Sequence, residues 1–158
     1  MRKLISGILA IAACAALLAG CGGKEADSGK QPAAADVVKA VADELTFKDA
    51  MITLEDDMVE NIYNLDMEKI ADKSCYISGS RATAEEVSVF QVKDSADLQM
   101  VKDAVAERID DQKHAYESYN PGEMVKINGA VTLTHGNYVI LVMADDTSKV
   151  EETFNAQF

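Results

Sequence analysis

The chain has 158 residues, with 15 basic and 27 acidic side chains and a formal net charge of −12. A polyanion of this kind repels nucleic acid and anionic lipid headgroups, which argues against nucleic-acid binding and against a polybasic membrane patch. Three cysteines and no tryptophan leave no disulfide framework to build on.

Arg2 and Lys3 precede an uncharged run from Leu4 to Gly20, the layout of a secretory leader. It ends in Leu18-Ala19-Gly20-Cys21, which matches the lipobox of bacterial lipoproteins, so cleavage is expected between Gly20 and Cys21, with lipid on Cys21. A plain transmembrane anchor is the alternative, but the run is alanine-rich and near the lower limit of about 17–25 residues that span a bilayer. Ile11-Ala12-Ala13-Cys14 is a second near-match; cutting there leaves a shorter apolar region, and only Cys21 leads into Gly22-Gly23. Three segments are expected: a signal peptide over 1–20, a lipidated cysteine and flexible linker over 21–35, and one domain over 36–158. Loss of Arg2 and Lys3 with the leader takes the net charge to −14. A 14-residue linker reaches roughly 20 Å.

Asp36 is placed to cap a first helix whose Val37, Val38, Val41 and Leu45 share one face. Met51-Ile52-Thr53-Leu54 reads as extended or as a loop packed on the core. A short helix runs through Met58, Val59 and Ile62, and Asp66 caps a further turn over Met67 to Ala71. Lys73 to Ser78 alternates as a strand with Cys75 and Ile77 on one side, so Cys75 is expected to be a buried, unreactive thiol. Glu86 to Val92 is apolar on both faces, as an interior strand is.

The longest periodic segment lies between Ser95 and Tyr119, where Leu98, Val101, Val105, Ile109 and Tyr116 form one helical stripe. Asp94 or Ser95 caps it, and Asn120-Pro121-Gly122 stops it. Val125 to Thr134 and Tyr138 to Met143 read as strands of a hairpin joined by His135-Gly136-Asn137. Ser148-Lys149-Val150-Glu151 has the form of a capping box that opens a last helix. The expected fold is α+β: a mainly antiparallel sheet of about four strands, in two hairpin-like pairs, packed with a long central helix and flanking helices.

Taken together, Tyr63-Asn64-Leu65-Asp66, Arg108-Ile109-Asp110-Asp111-Gln112, Tyr119-Asn120-Pro121 and Gly136-Asn137-Tyr138-Val139 resemble a family of small lipoproteins of Firmicutes-type bacteria, a domain of unknown function. The resemblance covers roughly Val37 to Met143. It implies an extracytoplasmic lipoprotein and supplies no activity.

No catalytic constellation stands out. The serines lack a nucleophile-elbow setting, Cys75 lacks a placed base, and no Gly-rich phosphate loop is present. His114 and His135 have no partner at metal-ligand spacing and read as solvated. The acidic clusters lack the EF-hand order, and the methionines read as core filler, so no metal or other cofactor is expected. Arg108 and Gln112 are the most informative polar pair: Gln112 falls inside the apolar stripe of the long helix and Arg108 at its edge. With Tyr116 and Tyr119 they read either as a structural tether, to the Tyr119-Asn120-Pro121 turn or to a strand end, or as a recognition site for a carboxylate or peptide backbone.

The expected protein is therefore non-enzymatic: a binding or interaction module of the cell envelope, held on the extracytoplasmic face of the cell membrane by lipid on Cys21, with an envelope protein as partner and no nucleic acid. A small-ligand binder accessory to a transporter is the alternative, and a cryptic hydrolase a weaker one.

Overall fold

A computed structural model describes residues 30–158; the predicted leader, Cys21 and most of the predicted linker lie outside the described residues. Five strands form one sheet: β1 (Met51–Thr53), β2 (Ile70–Ser78), β3 (Glu86–Val92), β4 (Val131–His135) and β5 (Tyr138–Met143). Their order is β1-β2-β3-β5-β4, and every neighbouring pair is antiparallel. The helices are α1 (Ala34–Ala42), α2 (Asp56–Tyr63), α3 (Leu98–Tyr119), α4 (Met124–Asn128) and α5 (Val150–Asn155).

The strand sequences explain the layering. β3 and β5 are apolar on both sides, so each needs cover above and below. On one face Cys75, Ile77, Phe90, Leu141 and Met143 pack against Val59 and Tyr63 of α2, Val101 and Val105 of α3, and Ile127 of α4. On the other, Val87, Val89, Ile140 and Val142 pack against Val37 and Val41 of α1 and Val150 and Phe154 of α5. The fold is thus α+β, with a wholly antiparallel sheet between two helical layers. No helix among the described residues is long and apolar enough to cross a membrane.

The sheet has five strands rather than four because Met51–Thr53 pairs with residues 76–78 along the free edge of β2. Three residues are too few to show a period. The contact is fixed instead at Gly79, whose N–H donates to the Ala50 carbonyl at 2.8 Å. A Cβ there would stand 2.8 Å from that same oxygen.

Several local expectations give way to tertiary contacts. Val125 to Asn128 are helical, and the strand begins only at Val131. A strand would send residues three apart to opposite faces, whereas a helix brings Glu123 and Lys126 together, and their side chains pair at 2.7 Å. α1 begins at Ala34, so Asp36 lies in its first turn and not at its cap; the Ala34 N–H donates instead to the Asp72 carboxylate of β2 at 2.7 Å. The predicted capping box does not form: α5 starts at Val150 without a side-chain cap, and Asp146 accepts the Ser148 N–H at 2.9 Å. The turn capped by Asp66 ends at Lys69, and β2 starts at Ile70, earlier than the predicted Lys73. The β4–β5 connection is two residues, not three, since His135 pairs with Tyr138 and Gly136 takes a φ of 50°. His135 is not fully solvated; its ring stacks on Phe158 with centroids 4.2 Å apart.

Cys75 is fully buried beneath the α2–α3 layer. Burial pushes its thiol up to about 12, against a smaller opposing effect of the Ser88 hydroxyl. A thiol that stays protonated is neither a good nucleophile nor a good metal ligand. In the folded protein at pH 8, Cys75 is expected to resist iodoacetamide and to become alkylated in urea. Mass spectrometry of the peptide that carries it checks this, and rapid labelling of the native protein contradicts it.

Candidate functional site

The longest helix sets up the site. Asp94 accepts the Ala96 N–H at 2.9 Å and starts a single 3₁₀ turn that runs into α3; Asn120 and Pro121 end it. Its buried stripe holds Val101, Ala104, Val105 and Tyr116. Between Val105 and Tyr116 the stripe is interrupted by Arg108 and Gln112, and opposite them β3 begins with Glu86.

Glu86 is 1% exposed and its carboxylate is fully partnered. Arg108 donates to Oε2 through Nε at 3.0 Å and Nη2 at 2.9 Å. Oε1 accepts the Ser88 hydroxyl at 2.8 Å and the buried phenol of Tyr63. The Gln112 amide, oriented with its oxygen toward the guanidinium, lies 2.5 Å from Nη1 and 3.1 Å from Nη2. Burial, with the Glu86 charge second, holds the Tyr63 phenol well above its usual pKa. Burial also opposes the Arg108 charge, but the Glu86 carboxylate and Tyr63 outweigh it and the guanidinium is raised.

The loop between β2 and β3 is tied down from three sides. Asp49 accepts the hydroxyls of Ser78 and Ser80 at 2.5 and 2.6 Å and the Ser80 N–H at 3.0 Å. The Tyr116 hydroxyl reaches the carbonyls of Arg81 and Thr83 at 2.8 and 2.7 Å, and the Asn120 amide donates to the Ala82 carbonyl at 3.2 Å. Glu123 accepts the Ala84 N–H at 2.9 Å, while Glu85 takes the N–H groups of Lys48 and Asp49 and the Thr83 hydroxyl. Lys126, 1% exposed, closes this second cluster at 2.7 Å from Glu123 and 3.5 Å from Glu85.

Between that loop and the C-terminal half of α3 lies a cleft of about 360 Å³. Arg108, Gln112, Tyr116 and Tyr119 all line it, so the four residues singled out in the sequence come together in space. Their roles differ. Arg108 ties α3 to the first residue of β3, and Tyr116 ties it to the loop. Tyr119 is 72% exposed at the rim. Arg81 also lines the cleft, with φ at 58°, a left-handed backbone that costs a non-glycine residue roughly 1–3 kcal/mol. Nothing in the local spacing marks Arg81, Glu86 or Tyr63 as residues of a site. One available signal was scarcity: the chain holds three arginines, Arg2, Arg81 and Arg108, and the latter two share this cleft.

The architecture defines a class: a two-sided antiparallel α+β domain with a polar cleft between its long helix and the start of its central strand. Residues 43–144 match the family described as Domain of unknown function (DUF4358), and the chain belongs to that family. No curated protein and no solved structure matches it. The match runs from just after α1 to just after β5, so it takes in the cleft and the layer of α2 to α4 and omits α1 and α5.

Removing Arg108 strands a buried carboxylate. Arg108→Met is expected to destabilise the protein by about 3–5 kcal/mol, and Glu86→Gln added to it to restore part of the loss. Urea denaturation of both variants measures this, and a single variant as stable as wild type contradicts it. A second expectation concerns acid. The hydroxyls of Ser78 and Ser80 and the Ser80 N–H lower Asp49 from 3.8 to about 2. Its contribution is therefore complete above about pH 4 and fades as the pH falls toward 2. The difference in urea midpoint between wild type and Asp49→Asn is expected to shrink over that range; a constant difference contradicts the assignment.

Proposed function

We propose that this protein is a lipid-anchored extracytoplasmic lipoprotein whose domain is a non-catalytic binding module of the cell envelope, engaging its partner through the cleft between α3 and the β2–β3 loop. The observation that carries the binding role is the cleft itself, where two arginines, an amide and an exposed tyrosine converge on one concavity. Its carboxylates and the hydroxyls of Ser78, Thr83 and Tyr116 are occupied as structural partners: Ser78 donates to Asp49, Thr83 to Glu85, Tyr116 to the 81–83 backbone, and Glu86 is saturated. Neither histidine lines it, which favours recognition over acid–base chemistry. The anchor rests on Leu18-Ala19-Gly20-Cys21 and the leader before it.

A second reading, a small-solute binder accessory to a transporter, is favoured by the volume of the cleft, which falls in the size range of small-molecule pockets of about 300–1,000 Å³. A photoreactive amino acid in place of Tyr119 separates the two. An envelope interaction module yields a discrete crosslinked protein on intact cells, and a solute binder yields none but is stabilised by a metabolite in a thermal-shift screen. If neither result appears, the binding role is wrong.

For the anchor, cells fed labelled palmitate are expected to incorporate it into the wild-type protein and not into Cys21→Ser. Equal labelling of the two, or recovery of the wild type with Met1 still attached, overturns it.

A further inference from the structure

The chemistry of the cleft goes further than its shape. The carboxylates built into its walls are already engaged. Glu86 is saturated by Arg108, Tyr63 and Ser88. Glu85 is held by two backbone N–H groups, the Thr83 hydroxyl and Lys126. The carbonyls of Arg81 and Thr83 share the single proton of the Tyr116 hydroxyl.

Donors remain. Arg81 is exposed and makes no ion pair among the described residues. The Gln112 amide turns its oxygen to Arg108, so its NH₂ is the side that can donate. Tyr119 adds a phenol at the rim. Apolar walls from Ile62, Ile77 and Ala115 flank these groups.

A concavity whose carboxylates are occupied and whose donors are open is complementary to a group that only accepts. An ionised carboxylate is such a group, and the planar fork of arginine fits it with two parallel hydrogen bonds. The backbone supports the same assignment. Arg81 is held in a left-handed conformation by the Tyr116 hydroxyl on its carbonyl, and this strained residue carries one of the cleft's two arginines. Arg108 cannot serve alone, because Glu86 neutralises it. Arg81 is the cation left for a ligand.

Resting on the binding role of this cleft, we propose that it recognises a carboxylate borne on a short apolar body, with Arg81 as the charged clamp and the Gln112 amide as the second donor. Two sources carry that chemistry, a small organic acid and the free C-terminus of a peptide.

The test uses the full-length protein in detergent and isothermal titration with three probes: 3-phenylpropionate, the tripeptide Ala-Leu-Phe with a free C-terminus, and the same tripeptide as its C-terminal amide. At least one acid is expected to bind, and the peptide acid to bind at least tenfold more tightly than its amide if a chain end is the source. 3-Phenylpropionate binding alone identifies a small acid. Arg81→Gln is expected to abolish binding and Arg81→Lys to weaken it about tenfold, since lysine keeps the charge and loses the fork. Arg81 is exposed, so both variants are expected to melt as wild type does, which separates lost recognition from lost folding.

Acid and amide binding equally, with both lost in a cleft variant such as Gln112→Ala, overturns the carboxylate and leaves the binding role standing. No binding of any probe at millimolar concentration also overturns the carboxylate; the Tyr119 crosslink then decides the binding role separately. Binding that survives Arg81→Gln overturns the assignment of the clamp.

Discussion

A buried carboxylate in the middle of an apolar layer fixes the geometry around it. Glu86 opens the central strand and is shut away from water, so its charge has to be met within the protein. Arg108, Tyr63 and Ser88 meet it, and in doing so they set the depth and rotation of α3 against the sheet and bind the end of α2 to the same point. An ion pair of this kind contributes little net stability over an apolar replacement, but half of it is worse than none. The arrangement therefore ties α3 to one point on the sheet, which an apolar stripe alone does not do.

Glu85 and Glu86 are consecutive and serve two clusters. Glu86 positions α3, while Glu85, with Lys126 and Glu123, positions α4 and the segment before β1. The loop just ahead of them is held by Asp49, Tyr116, Asn120 and Glu123, residues drawn from two places along the chain, one before β1 and one around the end of α3. The cleft is the space left between these two anchored elements. Its walls are set by buried polar contacts, and the groups that face into it are those the contacts leave over.

The family match adds a boundary. It takes in the cleft and the helices that form it, while α1 and α5, which cover the opposite face of the sheet, lie outside it. The acidic surface bears on recognition as well: a molecule of net charge −12 repels anions at long range. A carboxylate ligand would be drawn in only at short range, through the arginine at the mouth and its donor partners. Such a site favours ligands that can enter the concavity over polyanions, which meet the whole surface.

The elements with a strong period were legible without coordinates. The α3 stripe, the two-sided apolar character of β3 and β5, the burial of Cys75 and the α+β class all follow from side-chain spacing, because burial on one face or both leaves a periodic record in the residues themselves. Contacts between distant residues leave no such record. Nothing local announces that Asp72 caps α1, that Asp49 pins the 79–81 loop, or that Val125 to Asn128 coil into a helix because Lys126 must reach two buried carboxylates. Arg108 and Gln112 stood out as polar residues on an apolar face, but their partner Glu86 lies 22 residues away from Arg108 and could not be named from spacing. The sequence by itself determined the layers and the polar interruption in the long helix. Only the tertiary structure decided what that interruption faces, because pairing a buried charge is a question of which atoms come within 3 Å in space.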